Sequence, residues 1–296
     1  MEELRGTGVA LITPFTEHGA VDVAALEKIV AHCITGGVDY LVALGTTAES
    51  ITLSKEEKKL VINTIVAANN EQLPLVLGIG GNNTRAVVEE IKETNTASFR
   101  AILSVSPYYN RPSQEGIYQH FKAIAEVSPK PILLYNVPGR TGSNMLPATT
   151  LRLARDFDNI IGIKEASGNL VQAMEIIKRK PDDFLMISGD DITSLSTVLA
   201  GGDGVISVLA QGLPQEYAQM IRLGLDGDAK KAFQLHYLLQ DGMSLIFEEG
   251  NPAGIKAIFE LLGFCTSAVR LPLVSATKAL KQKLGLFMYA VSKVPV

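Results

Sequence analysis

The sequence predicts an α/β fold: a (β/α)8 barrel, or TIM barrel, over residues 1–225, with a C-terminal helical appendage over residues 226–296. Two observations predict the barrel. Short apolar runs alternate with longer stretches of helical periodicity, and this strand-then-helix unit recurs eight times. An open doubly wound sheet is the alternative. It is disfavoured because Thr13-Pro14-Phe15 follows the first run in place of a glycine-rich turn.

Each strand-like run is short and apolar, which favours a strand buried on both faces. The runs cover residues 9–12, 40–44, 75–79, 101–105, 132–135, 160–164, 184–188 and 205–208. Helical spacing of apolar residues follows each run, near residues 23–30, 54–65, 87–91, 114–126, 151–155, 171–178, 192–199 and 214–223. Ser54 begins the second helix with a capping box, because Glu57 stands three residues later. Apolar spacing near residues 235–239, 255–259 and 276–284 predicts three further helices in the appendage.

Composition argues against several classes of function. Hydrophobic residues make up 47% of the 296 positions and charged residues 20%, an ordinary globular balance. The formal net charge is -4 without any basic block, so nucleic acid is not an expected partner. No run approaches the about 18 apolar residues of a membrane span, and the first residues lack the apolar segment of a signal peptide. Cys33 and Cys265 cannot form a disulfide framework, so a reducing, cytoplasmic location is expected.

Lys164 is the first candidate for chemistry. It ends the sixth run directly after the uncharged residues 160–163, so its backbone is expected to be a buried strand. Burial disfavours an ammonium group, and a neutral lysine amine is a nucleophile for carbonyl carbon. Lys164 therefore suits a Schiff base with a keto substrate. The alternative is a strand-end lysine that extends to water and has no chemical role, and this stretch alone leaves both open.

In a parallel barrel the carboxyl ends of the strands form the active-site face, so the residues after the other runs are informative. Thr46 and Thr47 follow the second run, and their hydroxyl and backbone N–H groups suit a carboxylate; a plain turn is the alternative. Tyr108 and Tyr109 follow the fourth run and are aromatic residues that could equally pack on the barrel rim.

The fifth run ends in Tyr135, a candidate phenolic acid or base, and Arg140 follows it as a candidate carboxylate clamp. The carboxyl ends of the strands thus carry a lysine, tyrosines, threonines and an arginine. This set suits imine chemistry on small acids. Metal chemistry is not expected, because the four histidines have no ligand spacing and are expected on the surface: His18, His32, His120 and His236. Phosphate is not expected either, because Asp190 and Asp191 after the seventh run would repel it.

The chain resembles the dihydrodipicolinate synthase family of the pyruvate-dependent class I aldolases over nearly its whole length. The motifs that carry the resemblance are LGTTAES at 44–50, PYYNRP at 107–112, YNVPGRTG at 135–142, GIKEASG at 162–168 and SGDD at 188–191. The lysine and tyrosine pair belongs to the whole superfamily, and the Gly-Arg-Thr-Gly that follows the tyrosine is typical of this family.

The resemblance implies a role for each of four catalytic residues. Lys164 forms the imine with pyruvate, and Tyr135 transfers protons to and from it. Thr47 links Tyr135 to Tyr109, which in this family comes from a neighbouring subunit. The resemblance also implies substrate-binding residues: Thr46 and Thr47 for the pyruvate carboxylate, Arg140 for the carboxylate of L-aspartate-4-semialdehyde, and Gly189 and Ile206 in the pocket wall.

The implied enzyme is a lyase that condenses these two substrates in the diaminopimelate route to L-lysine. The resemblance implies no metal or organic cofactor, and a cytoplasmic homotetramer built as a dimer of dimers. The family motif usually has glycine where this chain has Ala48. Because alanine at a positive φ would cost on the order of 1 kcal/mol, we expect Ala48 to lie instead at a helix start.

Members sensitive to lysine bind it at a subunit interface, near positions that match Ser50, Asn82 and Tyr108. They commonly have a neutral residue at the position of Lys55 and a glutamate at that of Ala86. Here a cation is added and an anion is missing, so lysine, itself a cation, should bind weakly or not at all.

The same residues leave two other functions open. The first is another pyruvate aldolase, such as an N-acetylneuraminate or keto-deoxy sugar acid lyase, which would want hydroxyl-binding groups in place of Arg140. The second is a barrel without catalytic activity that senses a keto acid, against which the combination of Lys164, Tyr135 and Thr47 argues.

Overall fold

The computed structural model describes residues 2–294, and its eight strands form one closed parallel barrel. Each strand pairs with the next in chain order, and β1 pairs with β8. The predicted (β/α)8 fold class is therefore confirmed. The strands are β1 Gly6–Ala10, β2 Tyr40–Ala43, β3 Leu75–Gly78, β4 Ala101–Val105, β5 Ile132–Asn136, β6 Ile160–Glu165, β7 Leu185–Ser188 and β8 Gly204–Ser207.

Helices surround the barrel and continue beyond it. They are α1 Val23–Thr35, α2 Lys55–Asn69, α3 Thr84–Glu93, α4 Gln114–Ala125, α5 Pro138–Thr141, α6 Pro147–Asp156, α7 Leu170–Arg179, α8 Ser194–Leu199, α9 Pro214–Leu225, α10 Ala229–Glu248, α11 Ala253–Leu261 and α12 Lys278–Val291. The predicted capping box of α2 is confirmed. Glu57 N donates to Ser54 Oγ at 3.2 Å, and Ser54 N donates to Glu57 Oε2 at 2.9 Å.

The first strand differs most from its prediction, since it begins three residues before Val9. The cause is a contact inside the barrel. Gly8 pairs with Tyr40, and a Cβ on Gly8 would lie 2.2 Å from the Tyr40 ring. Glycine is typical of turns when only the local sequence is considered. Here Gly8 is a strand residue, because the large tyrosine ring fills the space beside it.

The barrel interior determines where the strand-end side chains point. Side chains alternate along each strand, and the inward positions form an apolar cluster that includes Leu133, Tyr135 and Ile187. Tyr135 and Lys164 are partners in the β5–β6 register. The two side chains therefore enter the same mouth at the carboxyl ends of adjacent strands.

The three helices after residue 225 correspond to the three predicted ones. α10 packs against α9 and α12. Apolar side chains from these helices, among them Leu239, Ile258 and Leu284, join the same core as the helices around the barrel. The domain boundary at residue 225 stays a prediction. Among residues 2–294 no helix has the length and apolar character needed to cross a bilayer.

Candidate active site

Lys164 and Tyr135 form the centre of the candidate site. Lys164 is only 5% exposed, and its Nζ lies 4.4 Å from the centroid of the Tyr135 ring. The amine is thus held in a fixed position, close to a hydroxyl-bearing side chain and shielded from bulk water.

Gly189 and Ile206 form the wall beside Lys164. A Cβ on Gly189 would lie 2.8 Å from Lys164 Cε and 2.9 Å from its Cγ, so the lysine stem occupies the space that a side chain would need. Ile206 is fully buried in the cluster that also contains Tyr135. The structure therefore brings both predicted wall residues to the interior of the mouth.

A cavity of about 440 Å³ opens above the strand ends. Tyr135, Thr46 and Arg140 line it. Arg140 lies on the one-turn helix α5, and its exposed guanidinium has no acidic partner among residues 2–294. An unpaired guanidinium at a cavity wall is suited to bidentate binding of a carboxylate.

The Thr46-Thr47 segment adopts a short 3-10 helix, Thr46–Ala48, directly after β2. Two residues of the 44–50 motif have a positive φ, Leu44 at 54° and Glu49 at 53°, and Ala48 lies within the 3-10 helix. Ala48 is the last residue of this helix, so the expectation that it lies at a helix start is wrong. Its backbone is outside the positive-φ region, so alanine needs no left-handed conformation there. Thr47 is 3% exposed and accepts a hydrogen bond from Asn251 Nδ2 at 2.9 Å.

Tyr109 does not join these residues within the chain. Its side chain is 89% exposed, and its backbone has a φ of 69°. The Tyr109 amide donates to the Thr141 carbonyl at 3.3 Å, which fixes the loop beside α5. The predicted link from Tyr135 through Thr47 to Tyr109 of a neighbouring subunit stays a prediction.

Glu165 is a site residue that the sequence reasoning missed. It follows Lys164 and is buried, and its carboxylate accepts hydrogen bonds from Asn136 Nδ2 at 2.8 Å, Gln172 Nε2 at 2.9 Å and Ser167 N at 2.7 Å. Three donors satisfy the buried carboxylate without a cation. They also tie the end of β6 to β5 and α7, which holds Lys164 against Tyr135.

The candidate effector residues are only partly together. Ser50 and Tyr108 line the cavity. Asn82 is outside the lining, and its carbonyl accepts from Asn110 Nδ2 at 2.9 Å. An ion pair that the sequence reasoning missed, Lys58–Glu90 at 2.9 Å, also lines this side of the cavity.

The histidines correct one expectation. His120 and His236 are 3% and 6% exposed, so the prediction that they lie on the surface is wrong. Each occupies the inner face of its helix, and His120 Nδ1 pairs with Thr84 Oγ1 at 2.9 Å. Burial lowers the pKa of His120 to about 4. Among residues 2–294 no three His, Cys, Asp or Glu side chains are grouped as metal ligands.

Known proteins resemble the chain over nearly its full length. The model of the dihydrodipicolinate synthetase family matches residues 3–290. The 4-hydroxy-tetrahydrodipicolinate synthase of Flavobacterium psychrophilum is 61% identical over 99% of this chain and 100% of that protein.

Two solved structures are also similar. One is chloride-inhibited dihydrodipicolinate synthase from Acinetobacter baumannii complexed with pyruvate, with a TM-score of 0.95 and 36% identity over 98% of this chain and 100% of that one. The other is the enzyme from Cyanidioschyzon merolae with lysine bound, with a TM-score of 0.94 and 36% identity over 99% of both chains.

Proposed function

The chain belongs to the dihydrodipicolinate synthetase family, and we propose that it is a lyase with the activity of its named relatives. That activity is the condensation of pyruvate with L-aspartate-4-semialdehyde in the diaminopimelate route to L-lysine. The observation that carries the proposal is the buried Lys164 amine, 4.4 Å from the ring of Tyr135, which lines the cavity. A sequestered lysine beside a phenol is what imine catalysis requires.

The reaction begins when neutral Lys164 Nζ attacks C2 of pyruvate. The carbinolamine loses its hydroxyl as water, and the Tyr135 hydroxyl supplies the proton for that step. Loss of a methyl proton then gives the enamine, whose carbon attacks the aldehyde carbon of the second substrate. The amino group of that substrate attacks the imine carbon, which closes the ring and releases Lys164 as the free amine.

Carboxylate recognition follows from the groups around the cavity. Both substrates carry a carboxylate, and Thr46 and Arg140 both line the cavity. Thr46 follows the end of β2, so it is suited to the pyruvate carboxylate near the base. Arg140 projects from α5 without an ionic partner in the described chain, so it is suited to the second substrate at the entrance.

Borohydride trapping tests the assignment. Pyruvate and borohydride should leave a reduced adduct on the peptide that contains Lys164, and Lys164→Arg should abolish both the adduct and turnover. Lys278→Arg, on the exposed start of α12, is the matched control and should keep both. An adduct on another lysine would refute the assignment of Lys164. Turnover with a sugar aldehyde in place of aspartate semialdehyde would refute the proposed substrate.

The assembly proposal rests on Tyr109. A tyrosine that is 89% exposed on a loop next to the cavity is suited to contact a second copy of the chain. We therefore propose a homotetramer in which Tyr109 completes the site of a neighbouring subunit. Light scattering and the activity of Tyr109→Phe test this, and a fully active monomer would contradict it.

Free Cys33 and Cys265 support a cytoplasmic location, where thiols stay reduced.

A further inference from the structure

Asn251 joins the C-terminal segment to the predicted carboxylate-binding loop. It lies between α10 and α11 and is 5% exposed. Its Nδ2 donates to Thr47 Oγ1 at 2.9 Å across 204 positions of sequence. Its Oδ1 is buried and has no hydrogen-bond partner in residues 2–294. The amide therefore donates to Thr47 while its own buried acceptor stays unpaired. This combination indicates that the hydrogen bond to Thr47 is the function of the side chain.

The orientation of this amide follows from the cost of the alternative. Turning the amide by 180° would aim Oδ1 at Thr47 and would leave the NH2 group in the position without partners. Buried N–H groups without partners are rarer in proteins than buried carbonyl oxygens without partners. The orientation with Nδ2 facing Thr47 is therefore the stable one.

This donor determines what the Thr47 hydroxyl can do. A threonine hydroxyl has one hydrogen to donate and two lone pairs to accept with. Because Asn251 already donates to Thr47 Oγ1, the hydroxyl hydrogen must point elsewhere, and none of the residues 2–294 accepts it. The hydrogen is left available for a group that enters the site.

A second contact from the same segment fixes the same loop. Lys256 of α11 is fully buried, and its Nζ lies 2.6 Å from Glu49 Oε1 and 2.8 Å from the Ala268 carbonyl. Its Nζ also lies 4.0 Å from the centroid of the Phe15 ring. Asn251 and Lys256 thus hold Thr47 and Glu49, so the loop cannot move without breaking two buried contacts.

We propose that Asn251 is a positioning residue, which holds Thr47 with its hydroxyl hydrogen directed toward the reacting groups. The C-terminal segment then takes part in catalysis through Thr47, in addition to packing on the barrel. This inference rests on the proposed function, because it assigns a task to the Thr47 hydroxyl in that reaction.

A set of variants tests the proposal through Thr47. Asn251→Leu removes the donor at nearly constant volume and should lower kcat about tenfold in the wild-type background. The same loss is expected with Thr47→Ser, which keeps the hydroxyl. With Thr47→Val, which has no hydroxyl, Asn251→Leu should change kcat less than twofold further. Thermal unfolding of every variant establishes that each is folded.

A purely structural Asn251 would give the same loss of kcat in all three backgrounds, and that result would overturn the proposal. Asn69→Ala is the matched control. Asn69 is 2% exposed and bonded at both ends of its amide to Leu73, so its loss should lower Tm and leave kcat unchanged.

The proposed function is tested separately, by turnover of the wild-type protein. If the wild-type protein failed to turn over the proposed aldehyde, the rate of pyruvate trapping by borohydride would replace kcat in the same comparison.

Discussion

Gly189→Ala is the sharpest test of how the wall of the site constrains Lys164. The backbone at Gly189 is outside the positive-φ region, so alanine meets no conformational penalty there. The added Cβ would lie 2.8 Å from Lys164 Cε, 2.9 Å from Lys164 Cγ and 2.6 Å from Ala166 Cβ. The substitution therefore acts on the lysine stem and its neighbour without changing any polar group.

The size of the effect follows from these distances. Carbon atoms in favourable contact are about 3.5–4.0 Å apart, so Lys164 Cε must shift by at least about 0.7 Å. A misplacement of about 1 Å at a reacting group can cost about 10²-fold in rate. We expect kcat to fall by about that factor, and the rate of imine formation with pyruvate to fall with it.

Steady-state turnover and borohydride trapping measure the two rates, and circular dichroism checks the fold. Gly285→Ala is the control, since its Cβ would meet no atom within 4 Å in the helix α12. It should keep full activity and gain up to about 1 kcal/mol of stability. A Gly189→Ala protein with wild-type kcat would refute the contact between this wall and Lys164.

Three further predictions concern stability and regulation. Lys256→Met leaves the Glu49 carboxylate buried without its cation, and should lower the free energy of unfolding in urea by about 3–5 kcal/mol. Adding Glu49→Gln should recover most of that free energy. An unchanged loss in the double variant would contradict the pairing of the two residues. Hydrogen bonding from Arg270 lowers the pKa of Glu57 from 4.5 to about 2. A lowered carboxyl pKa stabilises the fold above pH 4.5, and this stabilisation is lost as the pH falls toward 2. Glu57→Gln should flatten that part of the stability profile, and an unchanged profile would count against it. L-lysine at 1 mM should leave more than half of the activity, because the site is expected to bind it weakly. Half-inhibition below about 1 mM would contradict this, since it requires a binding free energy of about 4 kcal/mol.

Local patterns were enough to predict the barrel and most of its strand-end residues. In a parallel barrel all carboxyl strand ends share one face, so the alternation of apolar runs and helical spacing brings Thr46, Tyr135 and Lys164 to the same mouth. Patterns fail where a residue's role depends on a distant neighbour. Gly8 is a strand residue because of Tyr40, which follows it by more than thirty positions.

The site residues that were missed share that property. Asn251 and Lys256 contact the β2 loop from 204 and 207 positions away, and no spacing in the sequence links them to it. His120 was expected on the surface because its spacing fits no metal site, but α4 packs beside α3 and α6 and buries it, with Nδ1 paired to Thr84 Oγ1.

The sequence by itself determined the fold class, the order of the elements and the residue types at the strand ends. Those features depend on local propensity and on the periods of side-chain burial, which are written within a few consecutive residues. Only the tertiary structure decided that Lys164 lies over the Tyr135 ring, that Gly189 makes room for it, and that Asn251 holds Thr47. Such contacts depend on how separate elements pack. A shift of about one ångström between two elements changes which atoms meet, and sequence patterns do not record it.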